Sequence, residues 1–166
     1  MPRVVLFEPE IPPNTGNVAR TCAATETELH LVEPLGFEIS DRTLKRAGLD
    51  YWPFVQLRRH SNWSEFHEQQ QLQGGRLIGL SRHASDSYLD FPFLDSDWLL
   101  FGRETSGLPP LPRSACDHLL KVPLACENVR SLNLSVAVAV VLFEALRQIK
   151  NPCSTVILEL IANSVI

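Results

Sequence analysis

The sequence predicts an α/β domain with a largely parallel sheet flanked by helices. Three observations carry that expectation. Short apolar runs of strand length recur along the chain and alternate with segments of helical character. Several of these runs end in small residues and pass directly into polar loops rich in Gly, Ser and Asn. No internal repeat and no linker divides the 166 residues, a length that fits one domain.

Taken in order, Val4–Glu8 is an apolar run bounded by proline and reads as a buried strand. Pro13 and Asn14 then open a helix in which Val18, Cys22 and Ala23 share a face. Glu28–Glu33 alternates like a second strand. Ser40–Gly48 has a capping residue at one end and glycine at the other, the pattern of a short basic helix. The stretch "FVQLR" is a candidate third strand. "NWSEFHEQQQL" is a surface helix capped at Asn62 with Glu65 three positions on. Arg76–Ser81, Asp97–Gly102 and His118–Pro123 follow as further buried strands.

The segment after Arg130 requires arbitration. "SVAVAVVLF" is β-branched and alternating, which favours a strand, but "EALRQIK" behind it is built of good helix formers. No breaker intervenes before Pro152, and about 18 residues exceeds the usual strand, so a helix is expected. Its apolar residues, from Leu132 and Leu134 through Val138, Val141, Leu142, Phe143 and Leu146, cover nearly the whole circumference. Such a helix is buried on all sides, or on one side by its own domain and on the other by a partner.

Composition limits the functional classes. The net charge of −4 exerts no global pull on nucleic acid, so RNA binding requires a local basic patch. Arg42, Lys45 and Arg46, with Arg58 and Arg59, form the most basic part of the chain; a solvated helix face is the competing reading. Cys22, Cys116, Cys126 and Cys153 have no metal-ligand spacing and read as small buried hydrophobes in a reducing compartment. The five histidines are scattered, no metal cluster is evident, and neither a signal peptide nor a membrane span is expected. A cytoplasmic location follows as the expectation. Trp52 and Trp63 are candidates to stack on a loop base, with core packing the stronger alternative.

Three polar loops follow buried strands: "PPNTGNVAR", "GRETSGLPPLP" and "ACENVRSLNLS". Ligands in open α/β sheets bind outside the carboxyl ends of the strands, so the three together can form one site. Singly they are weaker. Asn14–Asn17 can be a mere helix-starting turn, the phosphate fingerprints are missing from the second loop, and Ser131 in the third can simply cap the helix.

In combination, "EPEIPPNTGNVAR", "FGRETSGLP" and "VPL…RSLNLSVAVAVVLFEALRQ" resemble the three motifs of the SPOUT superfamily of RNA methyltransferases. The resemblance is closest to its TrmL (YibK-like) family and covers about residues 4–150, with "HLVEPLGF" and "RAGLDYW" similar to intervening segments. It implies a C-terminal trefoil knot, an exception to the rule against knots, a homodimer joined through the first and last helices, and a single domain over residues 1–152. The tail 153–166 has no counterpart. It also implies S-adenosylmethionine-dependent methylation of the ribose 2′-hydroxyl of the wobble cytidine or uridine, position 34, in leucine tRNAs, recognised through the anticodon stem-loop.

By the same resemblance Leu80, Gly102, Glu104, Gly107, Val122, Leu124 and Ser131 belong to the donor site. Asn14, Arg20 and Asn133 match catalytic positions, and Arg20, Arg46, Arg130 and Ser135 match residues that handle RNA. Phe143 stands where the family commonly has tyrosine, and Arg103 where proline is expected, which adds a charge beside the donor loop. Arg20, one turn beyond Gly16, is expected at the pocket mouth. An arginine side chain stays protonated and makes a poor general base, so its expected role is to hold a phosphate and stabilise the developing alkoxide. Rival readings are the same chemistry on ribosomal RNA or another tRNA position, a non-catalytic RNA-binding dimer, and an unrelated nucleotide-binding enzyme.

Overall fold

The computed structural model describes residues 1–37, 51–126 and 128–150. The strands are β1 (Arg3–Phe7), β2 (Leu29–Val32), β3 (Leu57–His60), β4 (Leu77–Leu80), β5 (Asp86–Ser87), β6 (Trp98–Phe101) and β7 (His118–Lys121). The helices are α1 (Pro12–Ala24), α2 (Trp63–Gln73), the one-turn α3 (Pro110–Ser114) and α4 (Leu134–Lys150). The strands form one sheet in the order β3-β2-β1-β6-β4-β7-β5, and every ladder is parallel.

Parallel strands joined by helical crossovers are covered on both faces, which explains why β1, β2 and β6 are buried nearly throughout. Alternate residues feed opposite layers. Val4, Leu6, Leu29, Leu31, Ile78 and Leu99 pack against Val18 and Cys22 of α1 and Val138, Val141 and Leu142 of α4. Val5, Phe7, Leu77, Trp98 and Leu100 face Phe66 of α2 and Trp63. Each fully buried Val or Leu in these layers contributes roughly 1.5–3 kcal/mol. Trp63 therefore serves the core, and Trp52 packs partly buried against the first layer.

Several sequence expectations shift. The third strand begins inside "FVQLR", but only at Leu57, and runs on to His60, because Trp52–Phe54 turn in a 3-10 helix first. β5, only two residues long, and α3, with prolines at Pro110 and Pro112, are additions to the expected elements. In α2, Asn62 accepts from the Glu65 amide at 3.0 Å as expected, but the Glu65 carboxylate answers the Ser61 amide at 2.7 Å instead of Asn62's own. The expected basic helix Ser40–Gly48, with Arg42, Lys45 and Arg46, lies outside the described residues, as do Cys153 and the tail. Arg58 and Arg59, counted with that basic stretch, sit on β3 and are paired with Glu28 and Glu33. Of the described cysteines only Cys22 is fully buried, while Cys126 is exposed.

α4 is a helix, as the absence of a breaker required. It is not buried all round: Val138, Val141, Leu142 and Ala145 face the core, while Val136 and Phe143 are 47% and 56% exposed. Its start is also not where expected. Asn133, not Ser131, caps the helix: its Oδ1 accepts from the Ser135 amide at 2.9 Å and its carbonyl from the Ala137 amide at 2.9 Å.

Two polar features are buried inside these layers. Asp97, fully buried, accepts from Nε and Nη2 of Arg76 at 2.8 Å each and from the Leu94 amide at 2.8 Å. His30 and His60 lie against each other, Nδ1 of the first 2.9 Å from Nε2 of the second, both almost fully buried. Phe66 and Trp98 enclose them edge-on.

Candidate active site

A cavity of about 560 Å³ opens where β4, β6 and β7 end, within the range that holds ligands of cofactor size. Leu80, Phe101, Gly102 and Val122 line it at the strand ends. All three polar loops reach it: Ile11 and Asn14 from the first, Gly102 to Leu108 from the second, and Arg130 to Leu134 from the third. The cavity adjoins the β1–β6 boundary, where the chain passes from one half of the sheet to the other.

The second loop is closed on itself. The Gly107 amide donates to the Arg103 carbonyl at 2.9 Å, and the Arg103 amide to the Gly107 carbonyl at 3.2 Å. This closure brings the loop's return strand so near Gly102 that a Cβ there would lie 2.2 Å from the Gly107 carbonyl carbon. Gly107 itself has φ +72°, which only glycine adopts freely.

The loop's tip is fastened to α1. Proline at the first turn removes donors from the start of that helix, and Ile11 offers no capping side chain. Glu104 supplies the acceptor from the second loop instead, taking the Glu10 amide at 2.8 Å, the Ile11 amide at 3.2 Å and Asn14 Nδ2 at 3.2 Å. An anion at this end also complements the helix dipole. Glu10 reciprocates by accepting from the Thr105 amide at 3.1 Å and the Thr105 hydroxyl at 2.8 Å. Arg103 is ion-paired with Glu8, whose backbone has φ 47°. Arg103 lines the cavity beside the donor loop as expected, and its charge is paired on the β1 side.

The third loop is joined to the first by one hydrogen bond: Asn133 Nδ2 donates to Asn14 Oδ1 at 2.9 Å. Asn14 is buried and Asn133 exposed, so the pair runs from the base of the cavity to its mouth. Glu104, Asn14, Asn133 and Ser135 thus form a continuous polar chain.

Asn14, Leu80, Gly102, Glu104, Gly107, Val122, Leu124, Arg130, Ser131 and Asn133 all line the cavity. Ser135 does not; its amide and hydroxyl both donate to Asn133. Arg20 is also absent from the lining. It is exposed on α1, its guanidinium 4.6 Å from the centre of the Tyr51 ring, while the Tyr51 hydroxyl donates to the Gly16 carbonyl at 2.8 Å. Arg46 lies outside the described residues. Sequence reasoning missed Arg82, His83, Leu108 and Arg113. Arg82 and His83 had a signal, since they directly follow a strand whose end belongs to the expected site.

The lining suits a nucleoside linked to an amino acid. Leu80, Leu108, Val122, Leu132 and Leu134 offer apolar walls for a flat base, and guanidinium groups offer partners for a carboxylate. Burial pushes the Cys22 and Cys116 thiols up to about 12, so neither serves as a nucleophile. Among the described residues no group of three or more His, Cys, Asp or Glu could hold a metal, and no helix is long and apolar enough to cross a membrane.

A sequence model of the SpoU rRNA Methylase family matches residues 1–143. A putative tRNA (cytidine(34)-2′-O)-methyltransferase of Synechocystis sp. is 52% identical over 151 residues, which are 91% of this chain and 99% of that protein. A solved structure described as giving insight into the 2-OH methylation of C/U34 on tRNA superposes with a TM-score of 0.82 at 48% identity, covering 89% of this chain and 95% of the other. The SpoU methyltransferase AviRb of Streptomyces viridochromogenes, in complex with the cofactor AdoMet, superposes with a TM-score of 0.80 at 25% identity, covering 89% and 60%.

Proposed function

The chain belongs to the SpoU methylase family, and from that premise we propose that it methylates the ribose 2′-hydroxyl of the wobble nucleotide of tRNA, cytidine or uridine at position 34. It is an RNA 2′-O-methyltransferase, and its methyl donor is S-adenosylmethionine. Leucine tRNAs, met at the anticodon stem-loop, are the substrate class we assign. The observation that carries the reading is the meeting of three separated loops at one cavity, linked through Glu104, Asn14 and Asn133.

S-adenosylmethionine, when bound, supplies a methyl group made electrophilic by its sulfonium. The protein's own task is then positioning, which alone is worth roughly 7–11 kcal/mol. Leu80, Gly102, Gly107, Val122, Leu124 and Ser131 are the residues we assign to holding the donor. Glu104 fixes the rim of that site rather than offering a free charge, since three donors already engage its carboxylate. Asn14 and Asn133 orient the ribose. Arg20 holds a neighbouring phosphate and stabilises the developing alkoxide, a role supported by its exposure and by the Tyr51 ring that steadies it. Arg130, Ser135 and Arg46 complete the RNA-handling set.

We further assign residues 1–152 to a single domain whose C-terminal part is tied in a trefoil knot, in a cytoplasmic protein. A homodimer is supported by the apolar residues Val136 and Phe143 of α4 and Ile11 beside α1, which the protomer leaves exposed.

Transfer of tritiated methyl from S-adenosylmethionine to total tRNA, followed by mapping of the modified nucleotide, tests the reading. A single 2′-O-methylated nucleotide at position 34 is expected. Label at another tRNA position, or label taken up by ribosomal RNA in a parallel reaction with none entering tRNA, overturns the substrate assignment. Donor binding without transfer to any RNA overturns catalysis.

A further inference from the structure

Ten arginines lie among the described residues, and six of them are ion-paired: Arg3, Arg58, Arg59, Arg76, Arg103 and Arg147. Of the four that make no ion pair among the described residues, Arg20 stacks on Tyr51, and the other three, Arg82, Arg113 and Arg130, all line the cavity. They come from different parts of the chain. Arg82 follows β4, Arg113 lies in α3 behind the β6 loop, and Arg130 follows β7. Each strand whose end floors the cavity is thus succeeded by one such guanidinium. Arg82 is further aimed by its neighbour, its Nε donating to His83 Nε2 at 3.0 Å.

The donor does not account for this arrangement. S-adenosylmethionine carries one carboxylate against an ammonium and a sulfonium, so it is a net cation. Among the described residues the cavity's one lining carboxylate, Glu104, is already engaged by three donors. One guanidinium can meet the donor's carboxylate; three around a cationic ligand need anions from elsewhere. The other reactant is a polyanion, and planar guanidinium groups bind phosphate in a bidentate manner. We propose that Arg82 and Arg113, together with Arg130, form a collar at the cavity that binds backbone phosphates adjoining the nucleotide to be methylated. This inference rests on the assignment of an RNA substrate, and it adds Arg82 and Arg113 to the residues that recognise it. It also places the basic patch that a net charge of −4 requires at the site itself rather than over the molecular surface.

The test pairs two binding measurements on the full chain, with Arg82→Ala, Arg113→Ala, the double variant, Arg82→Lys, and Arg147→Ala as a control away from the cavity. Affinity for a synthetic tRNA anticodon stem-loop is measured across a salt series, and affinity for S-adenosylmethionine by calorimetry, which also reports that each variant is folded. Each alanine variant is expected to weaken stem-loop binding by about tenfold and to flatten the slope of log affinity against log salt by about 0.7–0.9. Donor affinity should stay within about twofold, Arg82→Lys should recover part of the loss, and Arg147→Ala should match the parent. Unchanged stem-loop binding overturns the collar, as does a tenfold loss of donor affinity with RNA binding intact, which would make these arginines ligands of the donor. If the parent binds the stem-loop with the expected salt slope but transfers no methyl to position 34, the proposed function fails while the collar stands. Methylation at position 34 by a parent whose variants bind the stem-loop equally well overturns the collar and leaves the proposed function in place.

Discussion

Asn133 donates to Asn14 at 2.9 Å across 119 residues of sequence, joining the cap of the last described helix to the first turn of the first. Asn14 in turn donates to Glu104 at 3.2 Å, so one buried amide holds all three loops of the site in register. Asn14→Ala should lower turnover by about 10²-fold through misplacement of the ribose. It should also cost about 1–3 kcal/mol, because it strips partners from a buried network. Asn14→Asp should be worse, as it sets a carboxylate against that of Glu104. Combining Asn14→Ala with Asn133→Ala should cost less than the sum of the two, measured by urea unfolding and single-turnover kinetics.

Gly102→Ala places a methyl group 2.2 Å from the Gly107 carbonyl carbon, in a loop closed by two backbone hydrogen bonds. The backbone must move to admit it. Destabilisation of about 1–3 kcal/mol by thermal melting, with at least a tenfold loss of S-adenosylmethionine affinity, is the expected result.

Arg20→Lys keeps a cation above Tyr51 but loses the planar fork. Turnover should fall by more than about tenfold while donor affinity is unchanged. A lysine variant with near-normal turnover would exclude the phosphate-holding role.

The His30–His60 pair should make stability fall in acid. Burial, first of all, lowers the His30 pKa from 6.5 to about 4; proximity of Glu28 opposes the shift, and His60 adds to it. Burial likewise lowers that of His60, with Glu65 opposing and Arg58 assisting. The unfolded chain therefore takes up protons before the folded one, so stability is complete above about pH 6.5 and declines toward pH 4. His30 alone accounts for up to about 3 kcal/mol of that decline. Urea midpoints measured between pH 7.5 and 4 should trace it, and His30→Phe should flatten the curve.

Phe143→Asp adds a charge to the exposed apolar side of α4. Sedimentation should show a dimer for the parent chain and a monomer for the variant, with the donor cavity intact by calorimetry. A parent chain that sediments as a monomer removes the dimer assignment.

Much of this architecture could be read directly from residue order. Buried strands such as "WLLF" announce themselves because both faces are covered, and the end of each strand points to the loop that carries chemistry. What escaped was long-range or very short. Glu104 anchors the entry to α1 through the Glu10 and Ile11 amides, 94 and 93 residues away, which leaves no local signature. Ser131 and Asn133 offer the same kind of acceptor two residues apart, and only the backbone decides that Asn133 begins the helix. Apolar residues around the whole of α4 could not say which face the protomer buries. β5, paired only at Asp86 and Ser87, is too brief for any periodicity.

The bracing of the second loop also dictates how the cavity can be reshaped for donors bearing alkyl groups bulkier than methyl. The wall from Gly102 to Gly107 cannot be trimmed, because its two glycines have no side chain to shorten and Arg103, Glu104 and Thr105 between them anchor the loop to Glu8, Glu10 and the start of α1. Room for a larger transferable group must be carved from other lining side chains, by changes such as Leu132→Ala or Val122→Ala, which leave that anchor untouched.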